Sequence, residues 1–266
     1  MQRLLTLMAT SAAVVMVAVA VSASGLRADD ACPGTDKPIA TDRPDVTNSS
    51  LVVPLGSFQN ENGINVSTGR HFEAIDGTNS RLRYGIAHCL EVLVDVPNYV
   101  GSLHRGGHSA FGDVAPAIKW QVSPIPGTFD LSLAAGAALP TGDVSIAGRG
   151  TQPYLQAPWS YELGHGWAIN GMFTSFFKPS EVGGKQLTET TFSVEKELRE
   201  DLAVFVEYVG DFPQVGRNQQ MINSGASWHA DKLHQIDMHV AFGLNNNSPD
   251  MVVGLGYSFR IDGLGR

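Results

Sequence analysis

The residues of this 266-residue chain that could do chemistry are eight histidines, two cysteines and a scatter of carboxylates. His104-Arg105-Gly106-Gly107-His108 puts two imidazoles in one stretch, but no third ligand follows at a spacing that would complete a zinc site. His234 and His239 lie five apart, and on a strand an odd spacing places them on opposite faces, where they cannot share an ion. Surface acyl chemistry would need Ser and His on one face at one depth. The nearest pair, Ser224 and His234, falls at different heights on neighbouring strands, and no Gly-x-Ser-x-Gly occurs. Gly142 and Gly148-Arg149-Gly150 are loop glycines without a phosphate-binding pattern. The expectation is no enzyme, no metal and no cofactor.

What remains is a set of charges at alternating positions. Glu91 and Asp95 alternate with Val92 and Val94, and Arg81 and Arg83 precede them on what reads as the partner strand of a hairpin. Such charges must be positioned by strands, because a period of two puts them all on one face. The clearest strand is the last: Met251, Val253, Leu255, Tyr257, Phe259 and Ile261 alternate with Val252, Gly254, Gly256, Ser258 and Arg260. The same rhythm predicts about twelve strands, near 57–70, 78–87, 90–98, 111–123, 128–140, 150–162, 166–177, 187–197, 201–210, 219–230, 233–243 and 250–261. Most run longer than the 5 or 6 residues usual in globular sheets and are long enough to cross a bilayer when tilted.

The gaps between strands alternate long and short. His71–Gly77, Tyr99–Ala110, Thr141–Arg149, Lys178–Gln186, Asp211–Asn218 and Leu244–Pro249 are long. The short ones fall at His88-Cys89, Pro124–Gly127, Gly164-His165, Arg199-Glu200 and Asp231-Lys232. An outer-membrane barrel has this pattern, with short periplasmic turns and longer external loops, and an even strand number puts both termini in the periplasm. Phe58, Trp120, Phe129, Tyr161, Trp167, Trp228 and Phe259 fall on the apolar face near short turns, as an interfacial girdle does. Tyr84, Phe177, Tyr208 and Phe242 could supply part of the second girdle. Lys196 is the one charge on that face.

Composition agrees with this reading. Lys and Arg number 18 against 26 Asp and Glu, a net charge of -8, which argues against nucleic acid as a partner. Mean hydropathy is -0.03, as alternating strands average to neutral. Arg3 and the apolar run Leu4–Val21, followed by small residues, read as a signal peptide over 1–28. Residues 29–56 do not alternate and read as a periplasmic N-terminal arm, and 57–266 as the barrel. Cys32 would lie in the arm and Cys89 in the first short turn, both on the oxidising side. Two cysteines in an exported chain are more often paired than free, so a disulfide tying arm to barrel is expected.

The arm contains Thr41-Asp42-Arg43-Pro44-Asp45, and Val53-Pro54-Leu55-Gly56-Ser57-Phe58-Gln59 leads into the first strand. Further stretches are Leu82-Arg83-Tyr84-Gly85-Ile86, Phe111-Gly112-Asp113, Leu139-Pro140-Thr141-Gly142-Asp143, and Gln235-Ile236-Asp237. Gly243-Leu244-Asn245 and Gly254-Leu255-Gly256-Tyr257-Ser258-Phe259 close the set. Together they resemble the outer-membrane β-barrel transporter family named for the MetA pathway of phenol degradation. The chain departs from it at His88-Cys89, where Thr or Asn beside an acid is expected. The resemblance implies a barrel that passes small, aromatic molecules. The strand ending Tyr257-x-Phe259 also resembles the signal read by barrel-assembly machinery, although Arg260–Arg266 run past it.

The fold class expected is therefore all-β, a transmembrane antiparallel barrel of about twelve strands in the outer membrane of a Gram-negative bacterium, surrounded by outer-membrane lipid. Its polar face would carry Glu61, Arg81, Arg83, Glu91, Asp95, Asp113, Lys119, Asp130, Glu162, Glu189, Glu195, Glu207, Asp237 and His239. Arg81, Arg83 and Lys119 face ten carboxylates in that set, an acidic excess that predicts a small channel favouring cationic or neutral solutes. The alternatives are a non-conducting structural or interaction barrel and, further off, a lipid-modifying enzyme. Asp42, Arg43 and Asp45 could plug or gate the lumen through charge pairs, or serve only as an assembly handle or a solvated linker.

Overall fold

The computed structural model describes residues 32–70, 72–103, 107–122, 129–147, 150–178 and 184–264. The expected signal peptide over 1–28, the imidazole of His104 and the turn at 124–127 lie outside the described residues.

The strands are β1 (Phe58–Gly69), β2 (Phe72–Ala87), β3 (Leu90–Asp95), β4 (Tyr99–Ser102), β5 (Ser109–Phe111), β6 (Ala115–Gln121), β7 (Phe129–Ala138), β8 (Gln152–Gly164), β9 (Trp167–Phe177), β10 (Gln186–Arg199), β11 (Leu202–Pro213), β12 (Gln219–Asp231), β13 (His234–Gly243) and β14 (Met251–Ile261). Each barrel strand pairs antiparallel with its sequence neighbour in the ring, β3 with β6, and β1 pairs with both β14 and β2. That last pairing closes a twelve-stranded barrel made of β1–β3 and β6–β14, with β4 and β5 as two extra strands. Closure leaves no open edge on the ring, the condition for crossing a bilayer with strands.

Burial is inverted relative to a soluble protein. Leu133, Val206, Leu255 and Met238 are exposed, whereas Ser132, Glu207, Ser258 and Asp237 on the opposite face are fully buried. An apolar outer band around a polar interior is what lipid outside and a polar lumen inside require. Trp120, Tyr161, Trp167 and Trp228 are exposed near the short turns. Trp228 Nε1 donates to Asp201 Oδ2 in the β10–β11 turn at 3.0 Å.

The turns at 88–89, 165–166, 200–201 and 232–233 each hold two residues. Such tight turns favour left-handed backbone. In the first two, Cys89, His165, Gly164 and Gly166 supply it, with φ of 62°, 54°, 84° and 71°; the turns at 200–201 and 232–233 close without a positive φ.

Two of the expected long loops are strand instead. Residues 72–77 extend β2, which stays paired with β1 up to Gly69↔Phe72, and the expected Tyr99–Ala110 loop contains β4 and β5. The lower half of β2 pairs with β3 and its upper half with β4, so the sheet continues beyond the membrane band. Pro97, which has no N–H to give the ladder, separates β3 from β4. Outside the lipid band both faces of a strand are solvated, so no apolar alternation marks these segments.

Candidate functional site: a lumen closed by the arm

Residues 32–57 enter the barrel. At the arm's start Cys32 and Cys89 are joined by a disulfide, with Cα atoms 5.4 Å apart. Arg260, buried on the inner face of β14, donates to the carbonyls of Thr35, Lys37 and Pro38 at 3.3, 2.9 and 3.3 Å. The chain then crosses the lumen as irregular backbone, whose N–H groups need acceptors that a sheet would otherwise provide.

Inward carboxylates and amides supply them. Asp42 N donates to Glu61 Oε2 at 2.9 Å, and Val46 N and Thr47 N donate to the Glu207 carboxylate at 2.9 and 2.7 Å. Val52 N donates to Gln121 Oε1 at 3.3 Å and Val53 N to Glu91 Oε2 at 2.6 Å. Ser132 donates to the Ser50 carbonyl, and Asn48 meets Gln156 at 3.2 Å. With Ser160, Thr191 and Gln235, every barrel strand except β9 and β12 has a side chain hydrogen-bonded to the arm among the described residues.

The ion pairs concentrate on one side. The Asp42 carboxylate lies 2.9 Å from Arg81, 3.3 Å from Lys119 and 3.5 Å from Arg83. Arg83 also meets Glu61 and Glu91 at 2.9 Å each, and Arg81 meets Asp95 at 2.6 Å. Beside them, Arg43 lies over β1 and β14 and reaches Asp237 on β13 at 3.3 Å. A Cβ on Gly63 or Gly256 would stand 2.2 and 2.5 Å from the Arg43 guanidinium, so these directly paired glycines make the space it occupies. Gly85 likewise lets the Val53-Pro54 backbone approach β2.

Burial opposes ionisation of Asp42, yet the charges of Arg83, Lys119 and Arg81 outweigh it and hold its carboxyl well below the usual range. Asp45 behaves oppositely: burial, then the carboxylates of Glu207 and Glu195, push it well above that range. A docked arm therefore binds the Asp45 proton more tightly than a free arm. Its contribution to docking is complete below the free-Asp value of about 3.9 and fades as pH rises through the raised one. Asp42 contributes above about 3.9, and that contribution is lost only as pH falls through its lowered value. Docking should be tightest near about pH 4 and loosen as pH rises from there through the raised Asp45 value. In planar bilayers the wild-type conductance should rise between pH 5 and pH 8, and Asp45→Asn should flatten the rise. An unaltered rise in Asp45→Asn would remove Asp45 as its origin.

The sequence-based candidates divide by height. Glu61, Arg81, Arg83, Glu91, Lys119, Glu207 and Asp237 hold the arm. Asp95 pairs with Arg81 and Asp130 accepts from Gln121 at 3.3 Å. Glu162 is exposed near the β8–β9 turn. Glu195 sits on the inner face of β10, and Glu189 lies higher on it, paired in register with Thr174 and Asp211. Asp113 stands between β5 and β6, where it accepts from Thr141 N and Gly142 N at 3.0 and 2.9 Å. His239 faces inward between Asn223 and Asn65, at 3.2 and 3.1 Å. His234 faces outward, 2.8 Å from the Tyr257 hydroxyl.

The inward set drawn from the sequence left out Arg260, and reasoning from charge passed over Gln59, Gln121, Gln156 and Gln235, although all lie at inward positions of their strands. Uncharged amides carry no partner in a charge count; here Gln59, Gln121 and Gln235 meet arm backbone and Gln156 meets the Asn48 side chain. The arm's start should behave as a tether. Closing a loop across the 57 residues between the cysteines stabilises the docked chain by roughly 4 kcal/mol on the chain-entropy account. Intact-mass analysis with thiol alkylation should find no label before reduction and two after. Cys32→Ser should leave the barrel folded while exposing residues 32–40 to protease; protection equal to wild type would deny the tether.

Above the arm the inner wall changes character. Leu93, Ala117, Gly136, Tyr154, Phe176 and Leu187 are paired in register one after another across β3 and β6–β10. They form an apolar row farther from the short turns than the row holding Glu91, Lys119 and Gln156. Tyr154 and Phe176 set their rings 5.9 Å apart.

The family described as "Putative MetA-pathway of phenol degradation" matches over residues 41–261. Among solved structures, the COG4313 outer membrane channel from Pseudomonas putida F1 superposes with a TM-score of 0.63 at 15% identity, covering 82% of this chain and 99% of that one. The NanC porin gives 0.57 at 9% identity, with 77% and 100% covered, and the KdgM porin 0.53 at 7%, with 76% and 98% covered. No curated protein matches by sequence. These structures share the barrel, and the matched range begins at Thr41, the first residue of the arm motif; this chain belongs to the MetA-pathway of phenol degradation family.

Proposed function

We propose that the protein is an outer-membrane channel for small solutes whose N-terminal arm is its gate. The observation that carries this reading is the manner of closure. The arm is held mostly by hydrogen bonds and ion pairs that water can replace, with Ile39, Val52 and Val53 as its buried hydrophobic side chains, so leaving exposes little hydrophobic surface. A permanent plug would gain more from burying apolar side chains than from ordering so many polar ones. The solved channels and porins of similar fold support the reading.

The wall of the outer half of the lumen supports a solute class. It offers the apolar row with Tyr154 and Phe176 beside Glu189, Asp211 and Asp95. A small molecule with an aromatic or apolar face and a neutral or positive charge fits that wall, since a wall richer in carboxylates than in cations disfavours anions. The family's name agrees with an aromatic solute. Export, insertion by barrel-assembly machinery and residence in the outer membrane complete the proposal.

The purified protein in planar bilayers, in a salt gradient, tests it. Low conductance that rises when arm contacts are weakened, with a reversal potential of cation preference, is the expected result. Anion preference would overturn the solute class. No conductance with the arm displaced would favour a non-conducting structural barrel instead.

A further inference from the structure

We infer that the outer surface of the barrel carries a binding site for one anionic glycerophospholipid of the periplasmic leaflet, with Lys196 as its phosphate ligand. The site requires only that the barrel stand in a bilayer, not that it conduct. Trp167, Lys196, Val204, Ala226 and Met238 are paired in register across β9–β13 and all point outward. The row above runs Val194, Val206, Ser224 and Val240. On β12 the side chains shrink to Ser224, Gly225 and Ala226, between the valines of β11 and Met238 and Val240 of β13. The surface drops there into a groove of about 620 Å³ lined almost wholly by apolar atoms.

A lipid-facing groove in a bilayer is filled by lipid, and the charge at its edge selects which part of the lipid lies where. Lys196 is the only charged residue at an outward position of the barrel strands within this groove. A bare ammonium on that face is costly in the membrane unless it reaches the interface or meets a counter-charge. Its Nζ sits 5.2 Å from the Trp167 ring and donates to the His165 carbonyl in the β8–β9 turn, at the periplasmic rim. That uses one of three ammonium donors. The other two remain for phosphate oxygens at headgroup height, where Trp167 also belongs. From that point the groove leads across Val204 and Ala226 toward Ser224, deeper in the bilayer, along the course an acyl chain would take.

The test is native mass spectrometry of the full chain released from micelles doped with phosphatidylglycerol or phosphatidylethanolamine. Wild type should retain one phosphatidylglycerol in preference to phosphatidylethanolamine. Lys196→Met, which removes the charge, and Ser224→Leu, which fills the groove floor without touching it, should each weaken retention roughly tenfold or more. Both variants place apolar groups toward lipid, and heat-modifiable gel mobility verifies that each barrel is folded. Retention equal to wild type in either variant, or no lipid preference in wild type, overturns the site.

Discussion

Arg83→Met should release the arm from the lumen while leaving the barrel closed. Arg83 is 1% exposed and is the cation that Glu61, Glu91 and Asp42 share. Removing one partner of a buried, hydrogen-bonded ion pair costs about 3–5 kcal/mol, because the remaining charges are left dry and uncompensated. Here the chain has an escape. If the arm withdraws, water enters and resolvates both wall carboxylates, so the cost falls on arm docking and not on the strands. That cost corresponds to roughly two to three orders of magnitude in the docking equilibrium, at tenfold per 1.4 kcal/mol. Limited proteolysis should then cut between residues 38 and 54, and bilayer conductance should rise. Arg83→Lys keeps the charge but loses the fork that spans Glu61 and Glu91, so it should fall between the two. Full protection of the arm in Arg83→Met would show that its docking does not depend on this cluster.

The second large effect separates the two faces of a single strand. Leu133 points to lipid and is 46% exposed, whereas its neighbour Ser132 is fully buried inside. Arg at position 133 would place a charge in the hydrocarbon band, at about 2–4 kcal/mol near the midplane. Leu133→Arg should therefore lose the heat-modifiable band that marks an assembled barrel, as should Val253→Arg. Ser132→Arg should keep that band. It will not be silent, however, because Ser132 donates to the Ser50 carbonyl and a guanidinium there must push the arm aside. Gly254→Arg is a poorer control, since even a Cβ there would stand 2.1 Å from His239 Nε2. Equal behaviour of Leu133→Arg and Ser132→Arg would refute the assignment of inside and outside.

Much of this architecture is legible in order along the chain. The two-residue rhythm of Met251–Ile261, the uncharged outer face and the alternation of short and long gaps are local patterns, and they give strand number, direction and which face meets lipid. Each follows from one rule, that a side chain's face depends only on its parity. The pairing of Arg81 with Asp95 and of Arg83 with Glu91 is local too, because a hairpin of two-residue turn brings those positions together.

Where the arm lies was decided only by the tertiary structure. Residues 32–57 have no period, so the sequence left them open between plug, handle and linker. Their place depends on closing the ring, which brings Glu61, Glu207, Gln121 and Arg260 from strands far apart in the chain to one interior. Only there do unpaired backbone N–H and C=O groups of an irregular segment and inward side chains without cross-strand partners satisfy one another. The glycines at 63, 85 and 256 carry the same lesson: each is unremarkable in its own strand, and its missing side chain matters only once the arm lies against it. The strands at 72–77, 99–102 and 109–111 escaped notice for the converse reason. They stand beyond the lipid, where backbone pairing and scattered contacts such as that between the Tyr99 and Phe111 rings hold them, and neither face has to be apolar.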